Sequence, residues 1–469
     1  MAFALAPSAD AQTAAPSQAP AQAPGDVPLL PSRSLDPVRN PLTDDSILRL
    51  GRETAPPDAL AAVVRRTVGR APLAAESTAS RAEAAAALAE ARAVRSPSVD
   101  LSVTGYQVLS RKFGDTDINV LERIRPSRRT DVLLNAEQLL LDAGGAKNRI
   151  GAASERLRAA EADVENSQDR VALETIAAWY DVFTFRALTG LAAAFVESQG
   201  EIRALVRERI ARGVSAEADL ARVDSYIASA ETRLARFQRQ ESQATSRFEA
   251  LTGAAPPPGV ARAAEPREAV MSRDLAVTRA VDAPAVRAAR AAARAADRDA
   301  KAARADTLPT LSAGIESGSY GIYETPGDYD VRARLTFRQR FFGGIDARAD
   351  QARARAQAQG ARADRTAQDA ARDAEIAWSD VRALEAQKLA IEKTYVASRR
   401  SRDTIAERFR LSTGTLFDVI QAEDGYFDTA ASYIQATTEL DAARWVLLSR
   451  TGTLLASLQV PVPQGDYRP

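Results

Sequence analysis

The chain has 469 residues with 62 Lys+Arg balanced by 62 Asp+Glu, so nothing global directs it toward nucleic acid or an anionic surface. It contains no His and no Cys, which excludes imidazole bases, thiol nucleophiles, disulfides and Cys/His zinc sites. No catalytic residue, cofactor or metal is expected, and a composition of 6% aromatic and 26% charged residues with alanine throughout reads as long helices with narrow seams.

Residues 1–12, MAFALAPSADAQ, have a short apolar run and an Ala-x-Ala site at Ala9 to Ala11 but no basic start, the pattern of a trimmed or misassigned secretory signal. The Pro/Ala/Gln/Ser-rich stretch 13–57 reads as a flexible tail. No run of 18 apolar residues follows anywhere, so no transmembrane helix is expected.

Eight of the 23 prolines fall before residue 42, and then two deserts open, between Pro126 and Pro256 and between Pro326 and Pro461. Uninterrupted helices need such deserts, because an interior proline costs about 3 kcal/mol. The two halves are a duplication. Pro72 and Pro97 precede Pro284 and Pro309 by 212 positions; Gly144, Trp179, Arg209, Asp219 and Gly253 precede Gly343, Trp378, Arg408, Asp418 and Gly452 by 199. A single 13-residue insertion between Pro97 and Gly144 reconciles the offsets. The first repeat, 58–253, predicts a helix, strands within 98–141, a long helix 145–211 and a return helix 216–252. A crossover at 254–281 leads to the second, 282–456, with strands within 310–341, a long helix 345–411 and a return helix 416–455; residues 457–469 form a tail.

Heptad seams run through Ile150, Leu157, Val164, Val171, Ala178, Phe185 and Ala192, and through Ala349, Ala356, Ala363, Ala370, Ala377, Leu384 and Ile391. A helix of this length spans roughly 100 Å, so it lies beside two shorter helices stacked end to end. Gly213 and Gly414 supply turn-permissive backbone at the tips. Asp219 and Asp418 stand in the first turn of each return helix, where a carboxylate favours the helix dipole; Asp418 with Glu423 is alternatively a ring of like charges if copies converge there.

Between the Pro97 and Gly144 markers the period becomes two. Val99, Leu101 and Val103 alternate with Ser98, Asp100 and Ser102; Val331, Ala333, Leu335, Phe337 and Phe341 alternate with Arg332, Arg334, Thr336, Arg338 and Arg340. Tyr106, Tyr320, Tyr323, Tyr329, Phe341 and Phe342 near strand ends suit the aromatic girdle of a membrane barrel, although a soluble hairpin cap on a coiled coil has the same period. Four strands cannot close a barrel, and an open edge is not tolerated in lipid. Two copies give eight strands and a filled interior, three give twelve and a passage, so a trimer is preferred. An Arg on the lipid side costs about 2–4 kcal/mol at mid-depth, which turns Arg332, Arg334, Arg338 and Arg340 inward together with Asp100 and Glu316.

The doubled pattern of Pro, strand, loop, strand, glycine pair, Trp-bearing long helix, tip turn and return helix resembles the TolC family of outer membrane channel-tunnels. The likeness covers residues 55 to 456 and is sharpest in QLLLDAGGAKNRIGAA at 138–153, RADTLPTLSAGIES at 304–317 and ERFRLSTGTLFDVIQAE at 407–423. It implies a mainly α fold with a β-barrel portion, a homotrimer with a twelve-strand barrel in outer membrane lipid and a twelve-helix tunnel in the periplasm. It also implies service as the exit duct of type I protein secretion or tripartite efflux, with a periplasmic adaptor (membrane fusion protein) and an inner-membrane ABC or RND transporter as partners. On this likeness Asp418, Gln421, Glu423 and Asp219 belong to the periplasmic aperture, and Gly213, Ser215, Ser412, Gly414 and Thr415 to tips that dock a partner. The family's gate-locking Tyr and Arg are replaced by Phe409 and Gly414, its tip glycine by Ser412, its second aperture Asp by Gln421, and its strand-closing prolines by Leu139 and Arg340. A periplasmic adaptor or structural coiled-coil scaffold is the alternative reading; an adaptor carries one hairpin flanked by β-rich segments, not two hairpin repeats.

Overall fold

A computed structural model describes residues 45–112, 126–325 and 327–461. The signal-like segment, most of the N-terminal tail, the centre of the 110–130 loop and residues 462–469 lie outside the described residues. The helices are α1 (Ser46–Leu50), α2 (Pro57–Val68), α3 (Pro72–Ala93), α4 (Gly145–Ala211), α5 (Glu217–Thr252), α6 (Arg273–Ala280), α7 (Pro284–Ala305), α8 (Ile345–Arg410), α9 (Leu416–Arg450) and α10 (Leu454–Ser457). The strands are β1 (Ser98–Gln107), β2 (Arg128–Leu141), β3 (Thr310–Ser319) and β4 (Tyr329–Arg338), joined antiparallel in the order β1-β2-β3-β4. Among the described residues no helix is long and apolar enough to cross a membrane.

The long helices α4 and α8 have 67 and 66 residues. Helix α4 packs along α5 in one half and along α7 and α3 in the other, and α8 lies against α9 and α7. One long helix therefore runs beside two shorter ones, as the lengths require. The seam positions Leu157, Val164, Val171, Ala178 and Ala192 are buried, and so are Ala349, Ala363 and Ala377. At mid-length the two tryptophans hold equivalent places. Trp179 donates its indole N–H to the Ala261 carbonyl (2.9 Å) and Trp378 donates to that of Met271 (3.0 Å), so each repeat grips the crossover through its own Trp.

The register of the two repeats slips by one residue at the strand–helix junction. The offset of 199 pairs Gly144 with Gly343, yet the residue that precedes each long helix is Gly144 (φ 86°) in the first repeat and Gly344 (φ 74°) in the second. Left-handed backbone covers Ala143 and Gly144 in the first junction but Phe342, Gly343 and Gly344 in the second. Relative to the common register the second long helix starts one residue later, and the strand ends before it are offset further, with Gln339 in the place of Gln138. Gln138 and Gln339 close the two strand ends in the same way: each side-chain amide donates to the chain leaving the preceding helix, at the Arg95 carbonyl (2.9 Å) and the Thr307 carbonyl (3.2 Å).

The N-terminal tail expected to run to residue 57 is ordered from the first described residue. Asp45 caps α1 by accepting the Ile47 and Leu48 backbone N–H groups (both 2.9 Å). Ile47 and Leu48 are fully buried with Leu188, Phe195, Tyr395, Tyr426 and Tyr433. Beyond α1, the Ala55 N–H donates to the Arg262 carbonyl (2.6 Å), and the Arg262 guanidinium reaches the Gly51 carbonyl and pairs with Asp441 at 2.7 and 2.8 Å. Residues 45–55 form a strap across the middle of the molecule.

Candidate functional site

The sheet presents two unlike faces. Its register places Asp100 opposite Asn135, Asn135 opposite Glu316 and Glu316 opposite Arg332, a polar row across all four strands. Arg334 faces Gly314 and Arg338 faces Thr310 on the same side, by the period of two. The other side carries Val99, Leu101, Val103, Val331, Leu335 and Phe337, each more than 60% exposed, a large apolar surface for a water-soluble sheet. Arg340 lies past the end of β4 and is not part of the strand pattern, because the alternation stops where Gln339 turns back to Thr307. Tyr106 and Tyr320 also depart from expectation. They lie on the polar side, where Tyr320 donates to Asp330 (3.1 Å) beneath the Arg129 guanidinium, so they are not girdle residues. Tyr323, Tyr329, Phe341 and Phe342 are each more than 70% exposed.

At the opposite end the two tips are built differently. The left-handed residue of the first is Gly213 (φ 72°), and of the second Ser412 (φ 65°). Gly414 is not the turn-permissive residue. A Cβ there would lie 3.1 Å from the Phe409 backbone nitrogen, so its glycine serves close backbone approach. Asp219 accepts the Ala216 N–H (3.3 Å), whereas Asp418 accepts the Thr415 hydroxyl (2.7 Å) and its own N–H donates to Thr415 Oγ1 (3.2 Å). Asp219 therefore satisfies a backbone N–H at the start of its return helix, whereas in the second tip Thr415 is the cap and the Asp418 carboxylate holds its hydroxyl in place. Asp418 and Gln421 remain exposed and line one groove between α8 and α9 with Gly414 and Arg408; Asp219 lies outside it. Glu423 does not join them. It is 1% exposed, turned inward toward Ser198 and Arg402, and its helical spacing hid this because a buried carboxylate with a buried guanidinium has the same sequence pattern as a solvated face.

Three features escaped sequence reasoning. Arg209, 7% exposed, donates to the Phe409 carbonyl (2.7 Å) and to Ser215 Oγ (3.1 Å) and covers the Phe409 ring, tying the two tips within one chain. The second feature is Asp45, which accepts from Tyr395 Oη (2.8 Å) and Arg399 (2.6 Å), while Tyr395 and Tyr426 hydroxyls lie 3.0 Å apart. The Asp45-Ser46-Ile47-Leu48 string is a helix-start signal that could have revealed it. The third is Asp169, whose carboxyl burial pushes up to about 6 although the Ser449 hydroxyl and Arg450 pull the other way.

Comparison with known proteins agrees with this architecture. The family model for outer membrane efflux proteins matches residues 63–254 and 279–453. The outer membrane efflux protein BepC of Brucella suis biovar 1 is 23% identical over 359 residues, 72% of this chain and 75% of that protein. VceC of Vibrio cholerae superposes with a TM-score of 0.73 at 17% identity, covering 84% of this chain and 96% of VceC. The CmeC outer membrane channel of Campylobacter jejuni gives 0.74 at 16% identity, over 85% and 86% of the two chains. A two-faced sheet continuing into paired helices of great length, matched over most of its residues by one family model, places the chain in the outer membrane efflux protein family of TolC-type channels, proteins of the outer membrane that extend into the periplasm and are not enzymes.

Proposed function

We propose that this channel is the passive exit duct of a tripartite efflux assembly. The observation that carries the reading is the sheet: one apolar and one charged face, two open edges, and direct continuation into helices roughly 100 Å long. Such a sheet is stable in lipid only when its edges are closed. Three copies supply twelve strands, turn the apolar faces to lipid and the arginine faces to a passage. Helices α4, α5, α8 and α9 then carry the passage into the periplasm, where the tips meet an adaptor and, through or beside it, an inner-membrane ABC or RND transporter. Efflux is favoured over type I protein secretion because BepC, a relative by sequence, is itself named an efflux protein.

Deleting the gene should raise the steady-state accumulation of a fluorescent efflux substrate and leave the secreted proteins unchanged. Loss of one secreted protein with normal dye accumulation would assign the duct to type I secretion instead. With Ser215→Cys or Thr415→Cys in a chain that has no native Cys, crosslinks to an adaptor should form in intact cells; crosslinks confined to the 110–130 loop would reverse the orientation.

A further inference from the structure

In the half of the molecule next to the sheet, α3, α4, α7 and α8 pack side by side in that order, so α3 and α8 form the two lateral edges. The contacts inside this layer have taken up their charges, for example Arg156 with Asp299 and Arg287 with Glu165. On the outer faces of the edge helices a set of charges is left over.

Helix α3 exposes Ala75, Ala79, Ala82, Ala86, Ala89 and Ala93, spaced alternately by four and three residues. Helix α8 exposes Ala347, Gln351, Ala354, Ala358, Ala361 and Arg365 at the same spacing. Each set is a coiled-coil seam pointing away from its own chain. The flanks beside the seams carry opposite charge. Glu76, Glu83 and Glu90 follow alternate seam positions on α3, and Arg348, Arg355 and Arg362 follow the corresponding positions on α8. All six are exposed and, among the described residues, take no part in an ion pair within the chain.

Chain direction fits the two edges together. Helix α3 runs toward the sheet and α8 away from it, so α3 of one copy against α8 of the next is an antiparallel pair in which equivalent flanks meet. Glu90 lies three residues before the end of α3 at Ala93, and Arg348 three residues after the start of α8 at Ile345, both ends being at the sheet. With the sheets level, Glu90 meets Arg348, Glu83 meets Arg355 and Glu76 meets Arg362, at steps of seven residues or roughly 10.5 Å. Between them Ala93 layers on Ala347, Ala86 on Ala354, Ala82 on Ala358 and Ala79 on Ala361, small enough for close helix approach. Two α3 edges, or two α8 edges, would oppose like charges. The contact is therefore head-to-tail, the kind that closes into rings.

We propose that the α3 edge of one copy and the α8 edge of the next form this alanine seam, and that its three Glu–Arg pairs specify which edges meet, in which direction and in which register. The inference rests on the three-copy reading above and names the surface that builds it. Exposed pairs contribute little each, so their role is specification and not affinity.

The test uses the full chain in mild detergent. Ala86→Cys with Ala354→Cys in one chain should oxidise to covalently linked trimers on a non-reducing gel; Ala75→Cys with Ala354→Cys, offset by roughly 16 Å, should not. Reversing Glu76, Glu83 and Glu90 to Arg should cut the trimer fraction and the crosslink yield at least about tenfold, and adding Arg348, Arg355 and Arg362 to Glu should restore both. A trimer by light scattering in which Ala86→Cys and Ala354→Cys stay unlinked, or one the charge swap fails to restore, overturns the seam. Linked rings of another copy number would uphold the seam and reject the trimer; a chain that never assembles would reject both.

Discussion

Replacing Asp45 by Ala should release the strap without unfolding the channel. In the wild-type chain the Arg399 guanidinium is 5% exposed and its partner Asp45 is 0% exposed, so the substitution leaves a buried cation without its carboxylate. Breaking such a pair from one side costs about 3–5 kcal/mol. The molecule avoids this by letting the strap lift and water reach Arg399, at the loss of burying Ile47 and Leu48, about 1.5–3 kcal/mol each. The two routes are of similar size. Opening of the strap should therefore become more populated by roughly two to three orders of magnitude, at about 1.4 kcal/mol per factor of ten. Trypsin reads this directly, because Arg52 lies within the strap and cleavage after it requires the Gly51 backbone to leave its place under Arg262. Under conditions where opening and closing are fast, the cleavage rate follows the open population. Asp45→Ala should be cut after Arg52 about a hundredfold faster or more, while the cleavage rates within α4 and α8 stay unchanged. Combining Asp45→Ala with Arg399→Met, which removes the stranded cation, should recover part of the protection. An Asp45→Ala protein cut at the wild-type rate would show that the pair does not hold the strap.

Three further outcomes follow from the site. Asp169 is protonated more readily in the folded chain, up to about 6 against an ordinary value near 3.8, so the folded state binds the extra proton and stability falls as pH rises from about 4 to 6. Asp169→Asn should flatten that slope, gaining about 2–3 kcal/mol relative to wild type between pH 4 and 7 in urea titrations; an unchanged difference across this range would reject the assignment. Replacing Arg334 and Arg338 by Gln should shift the reversal potential in a salt gradient toward cations, and an unmoved potential in an intact trimer would mean the arginine face does not line the passage. Asp418→Asn should weaken block by multivalent cations added at the tip side in planar bilayers, whereas unchanged block would leave Asp418 only its hold on the Thr415 cap.

The periodic parts of this fold are legible in the sequence because period, proline spacing and duplication each report local geometry. Long helices, alternating strands and the tip turns all come from such signals. What stays hidden depends on contacts between distant segments. Nothing near Asp45 announces Arg399, 354 residues away, and nothing near Glu423 distinguishes an inward carboxylate from a solvated one. The tips illustrate a subtler loss: Gly414 has the signature of the turn residue, but the chain turns at Ser412, because a left-handed residue and a close backbone approach both select glycine. The junction slip at Gly344 is masked for a related reason, since a Gly-Gly pair offers two equally good helix starts.

The duplication also supplies an internal control on packing. Trp179 and Trp378 descend from one position and make the same kind of hydrogen bond to the crossover, so the bond itself should contribute equally at both. Their surroundings differ. Trp179 is 1% exposed, set against Phe248 in a core that includes Val64, Tyr180 and Leu448, whereas Trp378 is only partly buried beside Val381 and Leu447. Truncating a fully enclosed Trp costs about 3–5 kcal/mol, and a half-enclosed one less, because water fills part of the space it leaves and the residual cavity is smaller. Trp179→Ala should therefore lower the urea midpoint of the folded chain clearly more than Trp378→Ala. Because α4 is surrounded by α3, α5, α7 and α9 while the sheet-proximal half of α8 keeps an open edge, damage at Trp179 belongs to folding. Equal losses from the two truncations would mean that the shared hydrogen bond outweighs the unequal packing, and that the two repeats have not diverged in energetic role.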